Sequence, residues 1–125
     1  MSALDDARAH LRKAKEFLQA AEMSSALELY NAATSSAVTS SINSKDAICL
    51  ALTGRTGKAD NHTDAVKELK AAGPATGIHA TTLGRLLKLK NKSQYQTADV
   101  ARSDALKAIE WAAKLVDAAA GILAS

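Results

Sequence analysis

Apolar residues recur at alternating intervals of three and four along most of the chain, which is the period of amphipathic helices. Leu4, Ala7, Leu11, Ala14, Leu18 and Ala21 make one such stripe, widened by Phe17, and predict a helix over 4–22. Asp5 and Asp6 fall in its first turn, where the helix dipole favours acids. Ser24 or Ser25 reads as the N-cap of a second helix, with Glu28 placed to complete a capping box from Ser25. That helix is expected over 26–53, with Gly54 as its stop. Its buried track is Ala26, Tyr30, Ala33, Ala37, Ser41, Ser44, Ile48 and Ala51. Seven of the eleven residues from Thr34 to Ser44 are Ser or Thr. They are mediocre helix formers, so a break near Asn43 is compatible with the pattern, but their small size lets a neighbouring helix come close.

Beyond a polar loop at 53–61 the elements shorten. A helix over 63–72 ends at Gly73-Pro74, and a fourth is expected over 80–90 with Leu83, Leu86, Leu87 and Leu89 apolar. A turn at 91–96 leads to a fifth helix that starts at Thr97 and runs to about residue 123, with Ala105, Ile109, Ala112, Val116, Ala119 and Leu123 on one stripe. No segment alternates as a strand does. The expectation is one all-α domain over 1–125, an up-and-down bundle of about five helices.

Composition sharpens this reading. The apolar fraction is 47% while aromatics are 3%, which favours closely packed helices over a sandwich of sheets. Cys49 is the only cysteine, so no internal disulfide forms and a reducing, cytoplasmic setting is expected. The acidic start Met-Ser-Ala-Leu-Asp-Asp has no apolar leader region, and no apolar run approaches roughly 18 residues. Net charge is only +3, but residues 55–92 carry +5 and the remainder −2. A positive middle can meet phosphate. Lys58, Arg85, Lys88, Lys90 and Lys92 are its candidate nucleic-acid contacts, and Tyr95, in a basic turn, is a candidate for stacking on a base. The competing reading is a solvated basic surface with Tyr95 closing the turn onto the core.

Other chemistry is thin. Gly54-Arg55-Thr56-Gly57-Lys58 lacks the spacing of a phosphate loop and follows a helix instead of a strand. His10, on the first helix, and His79, on a loop, have no acid or thiol at metal-ligand spacing, so neither a metal nor a cofactor is expected. Cys49, between Ile48 and Leu50, reads as a small buried hydrophobe.

Three segments carry a family resemblance. Ala26-Leu27-Glu28-Leu29-Tyr30-Asn31-Ala32-Ala33 resembles the second helix of HEPN domains (higher eukaryotes and prokaryotes nucleotide-binding). Asn61-His62-Thr63-Asp64-Ala65-Val66 is similar to the start of that family's third helix. Leu87-Lys88-Leu89-Lys90-Asn91-Lys92-Ser93-Gln94-Tyr95 resembles the turn into its last. The likeness spans roughly 5–120. It implies a helical, commonly dimeric module associated with RNA or nucleotide, often in toxin–antitoxin or defence systems. It also implies a homodimer and, as possible partners, RNA or a protein such as a nucleotidyltransferase or an antitoxin. Members without catalysis serve as protein–protein interaction modules, which is the alternative function. No membrane association is expected.

Active members of the family carry an Arg followed, after four to six residues, by a His. Arg55 and His62 have six residues between them and are the candidate catalytic pair. The chemistry is that of a metal-independent endoribonuclease. An imidazole moves the proton of a ribose 2′-hydroxyl or of the leaving oxygen, and a guanidinium holds the phosphate. Two departures weigh against it. Thr56 stands where active members have Asn, Asp or His, and Gly54 and Gly57 bracket Arg55 in what reads as a mobile loop. Whether the chain is an enzyme stays open at this level.

Overall fold

The computed structural model of the chain describes residues 2–57, 62–94 and 97–124, and of residues 62 and 92–94 the backbone alone. Five helices follow one another: α1 Ala3–Ala26, α2 Tyr30–Thr53, α3 His62–Ala71, α4 Gly77–Gln94 and α5 Arg102–Ala124. No strand occurs among the described residues. α2 is the centre and touches all four other helices, α5 packs on α1 and α4, and α3 pairs with α4. The all-α bundle of five helices expected from the periodicity is the architecture observed. No described helix is long and apolar enough to cross a membrane.

α1 and α2 are joined by a seam of small residues. Ala7, Ala14 and Ala21, seven apart, are fully buried, while Leu11 and Leu18 are only partly covered and Leu4 is exposed. Opposite them, α2 buries Ala33, Ala37, Ser40, Ser41, Ser44 and Ala47. With so little side chain between them the backbones approach closely enough for Ser40 Oγ to donate across the interface to the Ala14 carbonyl at 2.7 Å. The hydroxyls of Ser41 and Thr39 donate instead to carbonyls of their own helix, Val38 at 2.7 Å and Ser35 at 3.1 Å. Ser41 and Thr39 thus return their hydroxyls to the helix backbone, while the buried hydroxyls of Thr34 and Ser44 find no hydrogen-bond partner among the described residues, and α2 stays unbroken through Asn43. Asn43 uses its amide to hold His10: Nδ1 of the ring lies 2.9 Å from Asn43 Oδ1.

The helix ends differ from expectation for identifiable reasons. Ser24 and Ser25 do not cap α2, because α1 continues to Ala26. The Leu27 amide reaches both the Met23 and Ser24 carbonyls at 3.2 Å, and Glu28 reverses the chain at φ 62. The capping box is at the other end of α1, between Ser2 and Asp5. α4 starts before residue 80, just after buried Thr76, whose backbone carbonyl accepts from the Ala80 amide at 2.9 Å while its hydroxyl donates to the Gly73 carbonyl at 2.7 Å. His79 is therefore helical. α5 starts after Thr97 because Asn31 of α2 holds the approach. Its Oδ1 accepts from the Val100 amide at 2.8 Å and its Nδ2 donates to Asp99 at 3.0 Å.

Larger side chains fill the other half of the core. Leu69 of α3, Leu83, Leu86 and Leu87 of α4 and Leu115 of α5 are buried against Val38 and Ile48 of α2. Burying a leucine contributes about 2 kcal/mol.

Candidate nucleic-acid interface

Two features of the bundle stand out, one between α3 and α4 and one after α2. The first is an open groove of about 770 Å³ between the two helices, with Val66, Ala80 and Leu87 among the residues of its floor and walls and four cations around it: Lys67 and Lys70 from α3, Arg85 and Lys88 from α4. Helical spacing explains the set, since each pair is three residues apart and so shares a helix face. No acid lines the groove among the described residues, and none of the four cations has an acidic partner there. The charges therefore add instead of cancelling.

Of the basic residues singled out from sequence, Arg85 and Lys88 meet in this groove. Lys90 does not join them. It lines a separate depression of about 280 Å³ beside Thr34, Thr39 and Val100. Lys58, Tyr95 and the side chain of Lys92 lie outside the described residues. Lys67 and Lys70 complete the groove and were counted in the basic middle of the sequence without being assigned a site. Their three-residue spacing, matching that of Arg85 and Lys88, was the available signal.

The second feature is the segment after α2. Gly54, at φ 75, ends the helix with its amide on the Leu50 carbonyl at 3.0 Å, a left-handed turn that glycine makes without strain. Arg55 follows with its side chain exposed. Its amide donates to Thr53 Oγ1 at 3.2 Å. Thr56 and Gly57 turn inward, toward Lys45. That lysine is 1% exposed, and its ammonium lies 2.6 Å from Glu68 Oε2, 3.1 Å from Asp46 Oδ1, 3.1 Å from Thr56 Oγ1 and 3.4 Å from the Gly57 carbonyl. Thr56 donates to Asp46 at 2.6 Å and the Gly57 amide donates to Glu68 at 2.9 Å. The expectation of a mobile loop therefore fails for residues 55–57, which buried charge holds in place. His62 opens α3 at the far end of the loop, with its side chain outside the described residues, as are residues 58–61.

The electrostatics of this cluster are cooperative. Burial by itself disfavours the Lys45 ammonium, but the hydrogen bond to Glu68 and the charge of Asp46 outweigh it, and its pKa is raised above the ordinary 10.5. Burial likewise works against the Glu68 carboxylate, and the Lys45 hydrogen bond and Gly57 amide overcome it, so its pKa falls below the ordinary 4.5. Cys49, one helical turn from Lys45, is pushed up to about 11, chiefly by burial. It is a protonated, buried thiol at neutral pH, matching its reading as a small hydrophobe.

The Lys45 cluster was missed from sequence, where a lysine in a Ser-rich helix passes for solvated. It does fall on the buried track, four residues after Ser41 and three before Ile48.

None of the curated proteins compared with the chain matches it. A family model does, described as HEPN domain, and it covers residues 7–122. Its five-helix bundle agrees with that match over nearly the whole chain, and this protein belongs to the HEPN domain family.

Proposed function

We propose that the chain is an RNA- or nucleotide-binding HEPN module that takes the phosphate backbone of a single strand in the α3–α4 groove. The observation that carries this reading is the groove itself: Lys67, Lys70, Arg85 and Lys88 surround it, unopposed by any acid among the described residues. Cations so placed release counterions from a polyanion, which makes binding steeply dependent on salt. The reading includes a homodimer acting within a toxin–antitoxin or defence setting, supported by the habits of the family. Exposed Met23, Leu27 and Leu29 at the α1–α2 turn are apolar surface available to a protein partner.

The proposed activity is binding, not cleavage. Arg55 and His62 bracket one loop and are proposed as contacts to the RNA backbone. The residue after the arginine is Thr56, whose hydroxyl is already engaged by Asp46 and Lys45 and so is not free to assist at a scissile phosphate.

The test is a filter-binding titration with a single-stranded oligoribonucleotide across salt concentrations. Each phosphate contacted steepens the slope of log K against log salt by about 0.7, so four cations give a slope of about −3. Joint reversal Lys67→Glu and Arg85→Glu is expected to abolish binding while the helical circular dichroism stays unchanged. Equal binding by that variant removes the groove.

A further inference from the structure

We propose that Lys45 is a positioning residue: together with Asp46 and Glu68 it clamps the segment Arg55–Gly57, so that Arg55 is presented as a fixed donor to a phosphodiester of bound RNA. The inference rests on the RNA-binding reading and adds to it the device that orders one end of the site.

A lysine ammonium has three protons to give. Here two of the four acceptors around Nζ, the Thr56 hydroxyl and the Gly57 carbonyl, belong to the loop. The carboxylates are shared in the same way. Glu68 Oε2 takes both the ammonium and the Gly57 amide, and Asp46 Oδ1 takes both the ammonium and the Thr56 hydroxyl. Residues 56 and 57 are thus tied by side chain and by backbone to α2 and to α3.

Gly57 is part of the fit. A Cβ at that position would collide with the Glu68 carboxylate, so a side chain there must displace the carboxylate that anchors the Gly57 amide and the Lys45 ammonium. The guanidinium of Arg55 is the group left over. Its backbone is held on both sides, by Thr53 before and Thr56 after, while its side chain stands in solvent and faces a cavity of about 440 Å³ with Thr53, Glu68 and Ala72 among its lining. Fixing the backbone of a donor before the ligand arrives reduces the ordering cost at binding.

A double-mutant cycle on RNA binding by the full chain tests this, with a single-stranded oligoribonucleotide as the probe and hydrogen exchange at the Gly57 amide as the second readout. Arg55→Ala is expected to weaken binding about tenfold, as loss of a charged hydrogen bond does. Gly57→Ala, at an exposed loop position, is expected to do nearly the same. The two together are expected to bind no worse than Arg55→Ala alone, because both remove one contact. The Gly57 amide exchanges slowly in the parent chain and quickly in Lys45→Met. Additive losses in the cycle overturn the proposal, as does parental binding by Gly57→Ala or an unprotected Gly57 amide in the parent. If Arg55→Ala binds like the parent while Lys67→Glu with Arg85→Glu abolishes binding, the groove stands and the positioning role falls. The reverse pattern removes the groove and keeps the clamp.

Discussion

The α1–α2 seam and the α3–α4 pair solve the packing of two helices in opposite ways. The seam is made of alanine and serine, brings the backbones together and ends with a hydroxyl on the neighbouring carbonyl. The α3–α4 pair packs on leucines toward the core and stays apart on its outer side, where the groove opens. At Ala14 and Ser40 the closed seam leaves no gap between the two backbones. The open pair keeps cations on both lips, and four like charges at an open groove are tolerated only because water screens them until an anion displaces it. Rigidity and binding are thus given to different pairs of helices, and the Lys45 cluster on α2 and α3 joins the two.

The largest expected effects break the packing half of this comparison. Leu83→Ala empties a fully buried site in the common core and is expected to cost about 3 kcal/mol in urea unfolding. Ala14→Leu inserts volume where the seam has none and is expected to cost about 2 kcal/mol. An Ala14→Leu protein as stable as its parent would mean that the helices can part, and the close approach would lose its meaning.

Much of that packing was legible beforehand. The five helices and most of the α1, α2 and α5 stripes follow from three-four periodicity, because burial on one face is a local property of a helix. Helix ends were less legible: at the α1–α2 turn the backbone amides of Leu27, Glu28 and Leu29 bond to carbonyls of Met23, Ser24 and Ser25 in place of the serine caps, and the start of α5 is held by Asn31, 69 residues from Val100 in the chain. Of the candidate site, Arg85 and Lys88 were readable as basic and adjacent. The groove was not, because it exists only once Lys67 and Lys70 arrive from another helix. The burial of Lys45 was hidden for the same reason, since its main partner, Glu68, is 23 residues away in the chain.

A smaller effect probes the joint between the two halves through pH. The Glu68 pKa is lowered, so its contribution to stability is present above about 4.5 and is lost as pH falls below that. The Lys45 pKa is raised, so its contribution is present below about 10.5 and is lost as pH rises through the folded value. Unfolding free energy is therefore expected to be flat, as far as this pair is concerned, between those limits and to fall on both sides. Glu68→Gln is expected to shallow the acid limb, and identical acid limbs in the two proteins would show that the pair does not couple to folding.

The claim on which the account turns is that the open helix pair, and not the closed one, receives the anion. Titrating an amide-labelled sample with a single-stranded oligoribonucleotide tests it directly. Shifts are expected to concentrate at Val66, Lys67, Lys70, Gly84, Arg85 and Lys88, with the α1–α2 seam unmoved. Shifts that gather on α1 and α2 while the groove stays silent would contradict it.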